Sequence, residues 1–132
     1  MKNEVIETRT AEIWLDQDGI IHYKVLPGVE VTIDDTREYV KIQCGLTKNK
    51  KVLNLTDLRE VKSITHEARE YLSGEEVERI TAACALLIGS PVSKVIGNFF
   101  LGINKPPYPI KIFTTEEKAA EWLKGFSEKE VS

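Results

Sequence analysis

The sequence has little of what marks secreted, membrane or nucleic-acid-binding proteins. Its two cysteines, Cys44 and Cys84, are too few for a disulfide-stapled scaffold, and both have the apolar neighbours typical of core residues. The net charge is −3, whereas a nucleic-acid-binding domain normally has a basic face. The most apolar run, residues 80–89, is shorter than the roughly 20 residues of a membrane-spanning helix, and residues 1–10 lack a signal-peptide core. We therefore expect a reduced, cytoplasmic protein with no membrane span and no nucleic-acid partner.

Motifs for cofactor, metal and catalytic chemistry are also missing. Neither GxGxxG nor GxxxxGK[ST] occurs, so no phosphate-cradling glycine loop is expected. The two histidines, His22 and His66, are far apart and belong to no Cys/His cluster, so we expect no metal and no cofactor. Asp57, Ser63 and His66 supply the residue types of a Ser-His-Asp triad, but no GxSxG turn presents the serine. The sequence therefore favours a protein that is not an enzyme.

The chain does have enough apolar material for one packed domain. It has 132 residues, of which 42% are hydrophobic and 30% are charged, a composition typical of globular rather than disordered chains. No segment rich in proline, glycine or serine divides it. We expect a single domain over residues 1–132, with an ordered core at about residues 11–126.

Apolar periodicity predicts an α/β fold. Alternating residues on both sides of a turn at residues 16–19 indicate an opening β-hairpin. Residues 82–88 are apolar without alternation, which is typical of a strand covered on both faces. Further strands are predicted at residues 52–55 and 110–113. The order ββαβαβαβα, in which four helices follow the hairpin, implies right-handed crossovers and a mixed, mostly parallel sheet.

Capping residues predict where the four helices begin and end. Serine and threonine accept hydrogen bonds from the free N–H groups of the first turn, and acidic residues there interact favourably with the helix dipole. Glycine and proline favour a stop. The predicted N-caps are Thr32 with Asp35, Thr65, Ser90 followed by Pro91, and Thr114 with Glu117; the predicted stops are Gly45, residues 73–74 before a further turn at 75–79, residues 106–107, and Gly125.

The helix that begins at Ser90 has the strongest apolar pattern. Helical spacing predicts one broad apolar face, made of Val92, Val95, Ile96, Phe99 and Ile103. The following segment, residues 99–109, is either a buried helix end or an exposed apolar surface for a partner or a ligand. Both alternatives stay open at the level of the sequence.

Three loops are expected to meet at the carboxyl edge of the sheet, where ligands and partners of open α/β folds bind. They contain residues 56–67, 89–90 and 114–115, and each leads into a helix N-terminus, which favours an anion or a phosphorylated side chain. The alternative is that Thr65, Ser90 and Thr114 are N-caps and nothing more.

The element order and one loop resemble the STAS domain of anti-anti-sigma factors, within a divergent bacterial subfamily of SpoIIAA-like proteins. Asp57-Leu58 and Val61-x-x-Ile64 match the end of the family's strand and its following loop. The resemblance implies that a serine at the next helix start would be phosphorylated by a partner kinase. In this chain Glu67 occupies that position, which excludes a phosphorylation switch there and leaves Thr65 or Ser63 as substitute acceptors.

Three functional hypotheses follow, of which an enzyme that uses Asp57, Ser63 and His66 ranks last. The first is a non-catalytic regulatory module that binds a protein partner, an anti-sigma-type regulator by resemblance. The alternative is a small-molecule or lipid-binding module with an apolar pocket near Phe99, Phe100 and Tyr108. A homodimer is compatible with both, because the opening hairpin has an exposed edge. The predicted partner-binding residues of the first hypothesis are Asp57, Arg59, Ser63, Thr65, His66, Glu67 and Ser90.

Overall fold

A computed structural model of the chain describes residues 4–103 and 105–131, with side chains described as far as residue 126. The elements are β1 (Ile6–Glu7), β2 (Ala11–Leu15), β3 (Ile20–Val25), β4 (Glu30–Val31), α1 (Ile33–Thr47), β5 (Val52–Asp57), β6 (Ser63–Ile64), α2 (His66–Leu72), α3 (Glu75–Glu78), β7 (Thr81–Leu87), α4 (Pro91–Leu101), β8 (Ile110–Phe113) and α5 (Glu116–Val131).

The main sheet is mixed and mostly parallel, as predicted. Its strand order is β1-β2-β3-β5-β7-β8, with β1, β2 and β3 antiparallel and the remaining pairs parallel. The hairpin turn between β2 and β3 is built by Asp16, whose Oδ1 accepts the backbone N–H groups of Asp18 and Ile20 at 2.8 and 3.0 Å. Gly19 has a φ of +81°, a conformation that glycine adopts without strain. The predicted hairpin and α/β fold are confirmed.

The two faces of this sheet are covered differently. One face packs against α5, where Leu53 and Leu55 of β5 meet Ala119 and Leu123. The other face packs against α1, α2 and α4, with Tyr39 and other apolar side chains in its core. We call these the α5 face and the α1 face. Strand β7 is buried along almost its whole length, as expected for a strand covered on both sides.

Several predicted helix ends differ in the structure. Helix α1 passes Gly45 and ends at Thr47, where Lys48 takes the left-handed conformation (φ 55°) and donates its N–H to the Cys44 carbonyl. Helix α5 likewise passes Gly125. Glycine in the last turns costs too little to stop a helix that is packed against the sheet.

The predicted capping box at Thr114 is also wrong by one residue. Helix α5 begins at Glu116, and the backbone N–H of Lys118 donates to Thr115 Oγ1 at 3.3 Å. Two threonines in succession offer two possible caps, and the packing of α5 on the sheet selects the second. Where one candidate stood alone, at Thr32 with Asp35 or at Ser90 before Pro91, the predicted cap is confirmed.

The predicted apolar face of α4 is wrong in most of its members. The residues that α4 buries are Ser93, Ile96, Gly97 and Phe100. Of these, only Ile96 belongs to the predicted face. Gly97 lies against β8, so that a Cβ at this position would lie 2.8 Å from Ile112 Cδ1. Ser93 is buried because its Oγ accepts the N–H groups of Gly89 and Ser90, each at 2.9 Å. The orientation of α4 is therefore set by the close contact of Gly97 with β8 and by the hydrogen bonds of Ser93 at the start of the helix.

A second, two-stranded sheet lies beside the main one and was not predicted. Strands β4 and β6 pair in parallel over two residues each, Glu30 with Ser63 and Val31 with Ile64. Runs this short have no readable periodicity. Among the described residues, no helix combines the length and the hydropathy that crossing a bilayer requires.

Candidate functional site

Asp57 and Arg59 form an ion pair at the carboxyl edge of the main sheet. Arg59 donates from Nε to Asp57 Oδ1 at 3.0 Å and from Nη2 to Oδ2 at 2.8 Å. These hydrogen bonds raise the pKa of the Arg59 guanidinium. The aliphatic part of Arg59 lies over Gly89, where a Cβ would be 3.2 Å from Arg59 Cγ. The pair thus lies next to the start of α4.

The hydroxyl groups predicted at this edge have partners within the chain. Ser63 Oγ donates to Glu30 Oε2 at 2.8 Å, which joins β6 to β4. Thr65 Oγ1 accepts the N–H of Ala68 at 3.2 Å, and Ser90 Oγ accepts that of Ser93 at 3.0 Å. Capping accounts for the hydrogen bonds of Thr65 and Ser90.

His66 and Glu67 form the exposed tip of α2. His66 Nε2 lies 2.5 Å from Glu70 Oε1 on the same helix, and Glu67 is exposed in the first turn. The hypothetical triad is not assembled, because its three members have different partners. Asp57 pairs with Arg59, Ser63 with Glu30, and His66 with Glu70.

A short apolar stripe runs along one exposed side of α4. Phe99 lies half-buried at its border, with the guanidinium carbon of Arg69 4.4 Å from its ring centroid. Arg69 also donates to the Ile64 carbonyl at 2.6 Å, which ties α2 to β6. In the described part of the chain, the large apolar side chains that are exposed are Val92 (44%), Val95 (56%), Leu101 (45%) and Ile103 (81%). Helical spacing puts Val92 and Val95 on the same side of α4 as Phe99, whereas Leu101 lies on another side and Ile103 follows the helix. We call Val92 and Val95, with Phe99 at their border, the outer stripe.

A cavity of about 70 Å³ lies inside the α1 face of the sheet. Phe100 and Tyr108, two of the three predicted pocket residues, line it, whereas Phe99 does not. The rest of the wall comes from both the sheet and the covering helices. Its polar and aromatic members include Tyr23, Tyr39, Gln43, Asn54 and Thr56.

Most polar groups of this wall form hydrogen bonds within the chain. The Tyr23 hydroxyl donates to Gln43 Oε1, and Gln43 Nε2 donates to the Ile80 carbonyl at 3.1 Å. The Tyr108 hydroxyl donates to the Leu72 carbonyl at 3.0 Å, which connects the wall to α2.

The ionisable groups of the wall stay neutral. Burial raises the pKa of the Cys84 thiol to about 12 and, in the same way, that of the Tyr39 hydroxyl to about 12. Burial also raises the pKa values of Tyr23 and Tyr108. The cavity wall is therefore uncharged over the physiological pH range.

Sequence reasoning missed the residues of β5 that line the cavity. Asn54 Oδ1 accepts from the Thr56 hydroxyl at 2.6 Å and from the Cys84 thiol at 3.6 Å. The sequence contains a pattern that points to them: in β5, at the centre of the sheet, the polar residues Asn54 and Thr56 alternate with Leu53 and Leu55. Polar residues on one face of a central strand indicate a special use of that face.

Comparisons with known proteins agree with this architecture. The family model for a domain of unknown function (DUF7793) matches residues 13–127. Among solved structures, an uncharacterised protein of the DUF3478 family from Shewanella loihica PV-4, described as having a SpoIIAA-like fold, is similar with a TM-score of 0.58. The two are 13% identical over 93% of this chain and 95% of that one, so the likeness concerns the fold. A search of curated proteins found no match. The expected SpoIIAA-like fold is confirmed.

Proposed function

The chain belongs to the DUF7793 family and has a SpoIIAA-like fold, and from this premise we propose that it is a non-catalytic, regulatory protein-interaction module of the STAS type. The observation that carries the proposal is the outer stripe. A folded domain of this size rarely exposes neighbouring large apolar side chains on one side of a helix unless another surface covers them. We place the module in the cytoplasm, in keeping with its reduced cysteines.

The partner we propose is a second protein that presents an apolar ridge bordered by positive charge. The ridge would cover Val92 and Val95, and the positive charge would face the tip of α2. Glu67 and Glu70 are exposed there, and α3 adds Glu75 and Glu76. Complementary charge at the border of an apolar contact contributes mostly to specificity and to the association rate.

We assign the predicted partner-binding loop to the same interface. The Asp57–Arg59 pair and Ser90 border the start of α4, and Ser63 and Thr65 lead into α2. In this proposal Glu67 supplies a fixed negative charge where the anti-anti-sigma factors have a phosphoserine. Partner binding would then be governed by the amount of each protein and would not require phosphorylation of this position.

Two variants test the interface, one in its apolar part and one in its charged part. Val95→Asp puts a charge into the centre of the outer stripe, and Glu67→Lys reverses the charge at the tip of α2. Both positions are exposed, so neither variant should unfold the domain. Glu121→Lys on α5 makes the same charge reversal on the far side of the molecule and is the matched control.

The measurement is capture of partners from cells that express each tagged form, followed by affinity measurement with the purified partner. We expect one protein to bind wild type and Glu121→Lys, and to bind Val95→Asp at least about tenfold more weakly, since central apolar contacts carry most binding energy. Equal capture of every protein by all four forms would refute the proposal. Light scattering gives a further outcome: a wild-type dimer that Val95→Asp converts to monomer would make a second copy the occupant and refute a distinct partner.

A further inference from the structure

The cavity is a second candidate site, independent of the outer stripe. It lies within the domain, between β3, β5 and β7 and the covering helices. A cavity lined only by apolar groups stays empty, whereas one with free polar groups takes up water or a ligand. The decisive question is therefore which polar groups of the wall remain free.

Asn54 has the free group. The residue is 8% exposed, and its Oδ1 already accepts two hydrogen bonds, from Thr56 and Cys84. Within the described residues Nδ2 has no hydrogen-bond acceptor, and it is not among the fully buried side-chain atoms that lack a partner, which are Arg69 Nε and Thr81 Oγ1. Nδ2 therefore keeps some accessible surface, on a residue that lines the cavity. A central strand of an ordinary core would have leucine or valine here.

The remaining wall favours an uncharged, partly apolar ligand. Four aromatic rings, those of Tyr23, Tyr39, Phe100 and Tyr108, border the space. No lysine, arginine, histidine, aspartate or glutamate is among the described residues that line it. An anion or a cation would enter without a counter-charge and would lose its hydration, which is strongly unfavourable.

We propose that this cavity binds a small neutral organic molecule with one hydrogen-bond acceptor, which receives Asn54 Nδ2–H while its apolar part packs against the aromatic rings. Size restricts the ligand further. A protein cavity of roughly 150 Å³ holds benzene, which has six non-hydrogen atoms, so 70 Å³ corresponds to about three, and acetone, with four, is near the upper limit. Small ketones, amides and alcohols fit this description, whereas carboxylates of the same shape do not.

Acetone and acetate form the matched pair of probes. They have the same number of non-hydrogen atoms and the same planar shape, and they differ in charge. Each is titrated into the ¹⁵N-labelled full chain, and the side-chain NH₂ signal of Asn54 is followed together with the backbone amides of the cavity wall. We expect saturable shifts of these signals with millimolar acetone, and no saturable shift with acetate.

Variants separate binding at this site from general effects of the solvent. Asn54→Leu removes the donor, Val40→Phe fills the space from the wall on α1, and Asn98→Leu on the exposed side of α4 is the matched control. Acetone shifts of the wall amides should fall at least tenfold in either cavity variant that keeps a dispersed spectrum, and should persist in Asn98→Leu. Linear shifts with acetone, equal shifts with acetate, or unchanged shifts in Asn54→Leu or Val40→Phe would each overturn the proposal and leave the cavity as a site for water alone.

Discussion

The two faces of the main sheet are made by the same strands and are packed in different ways. On the α5 face, leucines and alanines of β5 and β7 meet one helix, and aromatic contacts between Phe113, Trp122 and Phe126 close the border. On the α1 face, tyrosines and buried amides surround a cavity. Strand β5 contributes Leu55 to the first face and Asn54 to the second.

This difference separates the part of the molecule that supplies stability from the part that is available for binding. Apolar side chains in close contact contribute free energy in proportion to the surface that they bury. Polar groups that satisfy each other contribute little net free energy, but they fix positions and leave specific donors free. The α5 face follows the first pattern, and the α1 face follows the second.

The largest expected effect comes from making the α5 face resemble the α1 face. Leu55→Asn places an amide among Ala85, Ala119 and Leu123, and its neighbour on β3, His22, is already paired with Asp16. We expect a loss of about 3–5 kcal/mol in the free energy of unfolding, from lost burial and an unsatisfied amide. Urea denaturation measures it. Leu55→Ile keeps the apolar character and should cost less than about 1.5 kcal/mol; equal losses in both variants would contradict the argument.

A smaller effect should come from the polar anchor of α1, and it should depend on pH. Burial alone would raise the pKa of Asp35, but hydrogen bonds from the Thr32 N–H at 2.8 Å and from Arg9 at 2.6 Å outweigh it and lower the pKa. A carboxyl group whose pKa is lowered by folding stabilises the protein above its ordinary pKa, and this stabilisation disappears as the pH falls through the folded-state pKa.

Asp35→Asn should therefore reduce stability by about 1–2 kcal/mol at neutral pH, the usual range for a helix cap with a charge-assisted hydrogen bond. The difference from wild type should shrink as the pH is lowered below the ordinary range of aspartate. Urea denaturation at a series of pH values measures this, with Asp34→Asn, at an exposed neighbouring position, as the control. A difference that stays constant down to acid pH would show that the carboxylate charge is not what matters.

The smallest effect is expected for the reciprocal change in the same strand. Asn54→Leu fills part of the cavity and removes a buried amide, but it deprives the Thr56 hydroxyl and the Cys84 thiol of their acceptor. These contributions oppose each other, and stability should stay within about 1 kcal/mol of wild type. The same denaturation assay applies. A loss as large as that of Leu55→Asn would show that the two faces do not differ in the way described.

Local chemistry made much of the fold predictable. Capping at Thr32 and Ser90 and the hairpin turn at Asp16 are decided by residues within a few positions of one another. The orientation of α4 was not predictable in this way, because its apolar residues lie on several sides and Gly97 is selected by contact with Ile112 of another element.

The candidate sites also divide into parts that local residues predict and parts that depend on contacts between distant elements. The sequence predicted a site at the tip of α2 through the loop pattern of residues 57–64, and one at the start of α4 through its place at the carboxyl edge of the sheet. It did not indicate that Val92 and Val95 are exposed, since that depends on which face of α4 the sheet accepts. It indicated the cavity only in part, through Phe100 and Tyr108, because the rest of the wall is drawn from strands and helices far apart in the chain, beginning at Tyr23.

The small β4–β6 sheet has a consequence for how the surface near α2 is held. Glu30 and Ser63 are 33 positions apart, and two residue pairs alone do not offset the entropy of closing a chain of that length. The ladder therefore persists because α1 and β5 already hold its two ends near each other. The position of the α2 tip is thus set by the completed domain rather than by its own short segment.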